Sequence, residues 1–154
     1  MASLVLISIN SPLIAGLYEN NTLIKHYEIQ GHTSAALNSL FGDIFACNII
    51  IDSIFYAKGP GRYSALKSTH IFLHTLSIIK GYTLFSTQSF YFNDNAPIHA
   101  FGENYFTQED GNIVLKSASD RSIPLTQNGF YLPAVLNPQD FDRQNEPLYI
   151  LPPV

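Results

Sequence analysis

The passage from Ile49 to Ile79 constrains the fold more than any other, because it joins an apolar run to a long amphipathic helix through two glycines and a proline. Ile49-Ile50-Ile51-Asp52-Ser53-Ile54-Phe55-Tyr56 is rich in β-branched and aromatic residues, which suits a strand covered on both faces. Gly59-Pro60-Gly61 then leads straight into a helical stretch from Tyr63 to Ile79. In that helix Leu66, Leu73 and Leu76 mark one stripe, and Phe72 with Ile79 a neighbouring one. The apolar band is wider than packing on a sheet requires, so its excess is expected to dock a partner helix. Gly81 stops the helix, and Thr83 to Ser86 supplies a further short strand.

Upstream, Ser3 to Ile9 is a continuous apolar run, read as a central strand. Leu13 to Tyr18 and Thr22 to Ile29 flank Glu19-Asn20-Asn21, whose asparagines tolerate the positive φ of a tight hairpin turn. From His32 to Phe45, Leu37, Leu40, Phe41 and Ile44 recur at helical spacing, with Thr33 or Ser34 available as N-cap. Three strands, helix, strand, helix, strand outline an α/β, ribonuclease-H-like unit. Beyond Phe92 the composition changes: Asn93-Asp94-Asn95 forms a polar linker and most prolines follow. Residues 1–92 are therefore expected to form the main lobe and 93–154 a second, smaller one. In the latter, His99 to Gln108 and Asn112 to Ser117 predict a hairpin around Glu109-Asp110-Gly111, and a Pro-rich tail stays extended.

Hydrophobic residues make up 46% of the chain and charged residues 13%, a coat thin enough that part of the surface is expected to meet a partner. A net charge of -4 and pI near 5.6 argue against a broad phosphate-binding face, so contact with RNA should be indirect. Lys58, Arg62 and Lys67 are the local exception, read as solvated surface. Cys47 is the only cysteine, which excludes an internal disulfide framework and fits a reducing cytoplasm. The apolar start carries no Lys or Arg before Lys25 and is broken by Asn10-Ser11-Pro12, so it reads as strand rather than signal peptide. No stretch reaches the roughly 18 apolar residues of a membrane span.

The sequence from Asp52 to Lys67 resembles the TsaB (YeaZ-like) family, in which a strand beginning D-x-I runs into GPGSFTGLR and a long helix. Gly59, Pro60, Gly61 and Leu66 match that motif; Tyr63 stands for Phe, Ser64 for Thr and Lys67 for Arg, while Arg62 replaces Ser and Ala65 replaces Gly. Ile9-Asn10-Ser11 resembles the family's I-D-T, His32-Thr33 its H-S, and Pro147-Leu148-Tyr149 its closing P-x-Y. The resemblance implies an actin-like ATPase (ASKHA) fold with a degenerate nucleotide cleft and, in this short chain, a reduced second lobe. It also implies a non-catalytic partner of TsaD, with TsaE a further partner, in threonylcarbamoyl transfer to tRNA adenosine. In that role the two helices meet their equivalents on TsaD through Leu37, Leu40, Phe41, Leu66, His70, Leu73 and His74. The same faces would form a homodimer when TsaD is absent. No cofactor is implied, except nucleotide at a boundary with TsaD.

The residues also admit other readings. Gly59-Pro60-Gly61 is foremost a strand-to-helix connector; as an anion site, helped by Arg62 or Lys67, it lacks the GxxxxGK[ST] spacing. His70 and His74 lie four apart on one helix face and could ligate a metal, but packing at a helix interface is the preferred reading. His32 is a helix-entry residue, Ser64 lacks the nucleophile-elbow spacing, Asp52 hydrogen-bonds a turn or sits at a strand edge, and Glu103 packs in a hairpin. Asn10, where catalytic relatives carry an acid, offers a metal one amide oxygen only. The alternatives to the scaffold role are an independent ATPase or peptidase-like enzyme, and a drifted homologue that binds another protein.

Overall fold

In the computed structural model, which describes residues 2–117 and 129–150, the opening apolar run forms β1 (Ala2–Ile7), followed by β2 (Leu13–Glu19) and β3 (Thr22–Ile29). With β4 (Ile51–Ala57) and β5 (Thr83–Thr87) they make a five-stranded sheet in the order β3-β2-β1-β4-β5. β1, β2 and β3 pair antiparallel, whereas β1, β4 and β5 pair parallel. Parallel neighbours need a crossover, which α1 (Thr33–Ala46) and α2 (Tyr63–Lys80) provide. β1 is paired on both edges, and Leu4, Val5 and Leu6 are wholly buried on its two faces. That explains an apolar run without polar alternation. The mixed sheet is consistent with the ribonuclease-H-like unit expected from the element order.

The two faces of the sheet have different cover. Leu4, Leu6, Leu17, Ile54 and Leu84 pack with Leu37, Leu40, Phe41 and Ile44 of α1 and Leu73 of α2. Val5, Ile7, Tyr18 and Phe55 face the other way, against Phe90, Phe92, Ile98, Phe106, Leu136 and Phe141. Each fully buried side chain of this size contributes about 1.5–3 kcal/mol.

Local chemistry sets the turns. Asn20 and Asn21 take φ of 49° and 62°, and Asp110 and Gly111 take 49° and 80°, the two hairpin turns read from sequence. Gly81 ends α2 at φ 75°, its N–H donating to the Ser77 carbonyl at 2.9 Å.

Four details depart from expectation. The N-cap of α1 is His32, with no side-chain cap, so Thr33 and Ser34 lie in the first turn instead. β4 starts at Ile51 rather than Ile49, because Asn48 turns at φ 54° and the Ile49 N–H closes onto the Ile44 carbonyl. Asn93 is no loose linker: it is buried and donates through Nδ2 to the Ala96 carbonyl at 3.0 Å. The arm expected over His99 to Gln108 is two strands, β6 (Ile98–Phe101) and β7 (Asn104–Glu109), because Gly102 turns the chain at φ 55°. With β8 (Asn112–Ser117) they form an antiparallel sheet whose Ile98, Ala100 and Phe106 join the second cluster.

The tail then returns to the first sheet. Apart from a 3-10 turn at Pro138–Asp140 it carries no helix over residues 129–150. Ser86 of β5 and Asp142 exchange backbone hydrogen bonds of 2.8 and 3.0 Å, covering part of an edge that would otherwise present bare N–H and C=O groups.

Candidate functional site

The connector between β4 and α2 is held by three separate parts of the chain. The Arg62 N–H donates to the Ile9 carbonyl at 3.0 Å, the Ser89 N–H to the Gly59 carbonyl at 2.8 Å, and the Leu148 N–H to the Lys58 carbonyl at 2.9 Å. A Cβ on Gly61 would lie 2.5 Å from that of Ile9; one on Gly59, whose φ is 125°, would lie 2.9 Å from the Leu148 carbonyl oxygen. Both glycines are therefore required by close backbone approach. Pro60 between them is buried, and its peptide bond to Gly59 is cis.

Around this connector the motif residues separate. Arg62, Tyr63, Ser64 and Lys67 are exposed, and neither Arg62 nor Lys67 forms an ion pair among the described residues. Lys58 is not the solvated cation expected: its side chain is only 12% exposed, and Nζ donates to the Gln144 carbonyl at 2.8 Å with Asp142 at 3.9 Å. Two hollows open beside Arg62. One, of about 250 Å³, is polar, and the first turns of α1 and α2 reach it through Thr33, Ser34 and Ser64, with Asn10, Ser11, His32 and Ser68. The other, of about 410 Å³, is walled by Tyr63, Phe101 and Tyr149 over Leu66, Ala100 and Phe106. The Tyr63 and Tyr149 rings meet at 4.8 Å between centroids, their planes tilted by 41°.

Of the seven residues expected at a partner interface, His70 and His74 are half-buried and the five apolar ones are buried. Leu37, Leu40, Phe41 and Leu73 are buried in the cluster under the helices, and Leu66 in the cluster on the other face. Their side chains are consumed by the chain's own core and present no surface. The outer side of α2 instead exposes Ile71, Ile78 and Ile79, at 55%, 86% and 68%. Spacing had put these isoleucines within reach of inference, since Ile71 and Ile78 share a helix face. Ile79 belongs to the band expected to dock a partner, whereas Ile71 and Ile78 were masked by apolar residues running round most of the helix.

His70 and His74 are brought together, with ring centroids 4.2 Å apart. His70 Nδ1 and His74 Nε2 are buried without a hydrogen-bond partner. Burial and the neighbouring His70 hold the His74 pKa below the ordinary imidazole value, against a smaller opposing pull from Glu146. Among the described residues no group of three or more His, Cys, Asp or Glu could hold a metal. Asp52 and Glu103 are exposed, the latter in the turn between β6 and β7. A contact absent from every motif pins α2 to the end of β1: the Ser8 and Thr69 hydroxyls lie 2.7 Å apart, both residues buried.

Among the described residues no helix is long and apolar enough to cross a membrane. No protein-family model and no curated protein sequence matches the chain. Solved structures do. YeaZ from Pseudomonas aeruginosa superposes with a TM-score of 0.59 at 12% identity, covering 75% of this chain and 64% of that one. A protein with similarity to peptidase YEAZ, also from Pseudomonas aeruginosa, gives 0.55 at 12% identity, covering 75% and 63%. This chain thus spans just under two thirds of either relative's length, and the likeness it shares with them is one of fold: the fold is YeaZ-like.

Proposed function

We propose that this chain is a TsaB-like, non-catalytic subunit in threonylcarbamoyl transfer to tRNA adenosine, acting in the cytoplasm by pairing with TsaD. The observation that carries the reading is the conjunction of a YeaZ-like fold with the strand–Gly-Pro-Gly–helix connector at residues 51–80. The actin-like assignment follows the same reading, with residues 93–154 as its reduced second lobe. The docking face is the outer side of α2, where Ile71, Ile78 and Ile79 leave apolar surface in water. The same face forms a homodimer when TsaD is absent, with contact to TsaE and to tRNA made through the assembly. Any nucleotide is held at the boundary with TsaD rather than on this chain alone.

Co-purification with TsaD from the same cells, followed by a transfer assay with and without this chain, tests the proposal. A stable complex whose activity needs both proteins supports it. Transfer by TsaD at full rate without this chain, and no complex, would overturn it.

A further inference from the structure

We infer that the hollow beside the connector is a binding site for a flat aromatic ring bearing a carboxylate. Three elements distant in sequence each bring an exposed aromatic residue to it: Tyr63 from the start of α2, Phe101 from the end of β6 and Tyr149 from the tail. Their exposures are 59%, 48% and 37%, so each ring offers a face to solvent. The floor, formed by Leu66, Ala100 and Phe106, is apolar and belongs to the buried core. A volume of about 410 Å³ has room for one or two fused rings with a short acidic arm.

Charge decides the second half of the ligand. Among the described residues the lining holds Arg62 and no carboxylate, in a chain whose net charge is -4. Arg62 makes no ion pair among the described residues, and its planar fork matches a carboxylate. Ser64 adds a hydroxyl at the same rim. The walls are set before any ligand arrives: the Tyr63 and Tyr149 rings already touch in a tilted pair, and the backbone bond from Leu148 to Lys58 fixes the tail beside the connector. A planar ring then gains aromatic contact on entry, with little ordering left to do.

The chain has no tryptophan, so the fluorescence of an indole probe can be followed without protein emission of the same kind. Titrating the protein into indole-3-acetate should give a saturable rise in anisotropy, reversed by benzoate but not by cyclohexanecarboxylate at equal concentration. Arg62→Gln and Tyr149→Ala should each weaken binding about tenfold or more, while a change at Ile50, which is 68% exposed and does not line the hollow, to serine (Ile50→Ser) should leave it unchanged. Tryptamine, with the same ring and the opposite charge, should bind at least about tenfold more weakly. Unaltered thermal melting of the variants separates lost binding from lost fold. Equal affinity of Arg62→Gln and the natural protein for indole-3-acetate would overturn the inference, as would equal binding of tryptamine or the absence of saturation.

Discussion

At the scale of single residues, Gly61 is the glycine with the least room for a side chain. Its missing side chain is the space that Ile9 occupies, so Gly61→Ala forces either the end of β1 or the start of α2 to move. Overpacking of this kind should cost about 1–3 kcal/mol, read as a lowered urea midpoint. The glycine was legible in the sequence because the Gly-Pro-Gly motif says that backbone must pass close by. Which backbone it passes was not, since Ile9 and Leu148 come to it only through the tertiary fold. Tyrosines supply a second prediction. Burial raises the pKa of Tyr18 and Tyr56, and burial with a hydrogen bond to Asp140 pushes Tyr91 up to about 12. A folded pKa above the unfolded value of about 10 means that stability is fully present below pH 10 and is lost as pH rises through the folded values. Thermal melts should hold level from neutral pH to about 9 and fall beyond about 10.

At the scale of elements, α2 shows what periodicity resolves and what it leaves open. Its limits were readable, since Gly61 and Gly81 bracket it, but its inner and outer sides were not, because apolar residues occupy most of its circumference. The structure separates them, with Leu73 wholly buried and Ile71 and Ile78 in water. Leu73→Asp places a carboxylate in the core and should unfold the protein or lower its stability by more than about 3 kcal/mol. Ile71→Asp with Ile78→Asp should leave the circular dichroism spectrum and melting temperature close to those of the natural chain while abolishing co-purification with TsaD. A double variant that still binds TsaD with full affinity would remove the outer side of α2 as the docking face. The start of α1 was misread for a simpler reason: Thr33 and Ser34 are both good N-cap residues, and His32 takes the cap position by backbone geometry alone.

At the scale of the whole molecule, one buried cluster unites Val5, Ile7 and Phe55 of the first sheet with Ile98 and Phe106 of the second and with Phe141 of the tail. Its members come from stretches far apart, so no local pattern announces it; the order of elements along the chain and the hairpins could be read ahead, but the seating of one sheet on the other could not. Because the cluster is shared, the chain should unfold in one transition. Phe106→Ala should cost about 3–5 kcal/mol and lower that transition as a whole. A second, separately shifted step in calorimetry would instead divide the molecule near Phe92.

The grip of Leu148 on the connector has a further consequence, for the order in which the chain is made. Synthesis runs from the N-terminal side, and β1, β4 and α2 leave the ribosome long before residue 148 is added. Gly59 therefore emerges without the segment that secures it, and the aromatic hollow stays open on the side of Tyr149 until that segment is made.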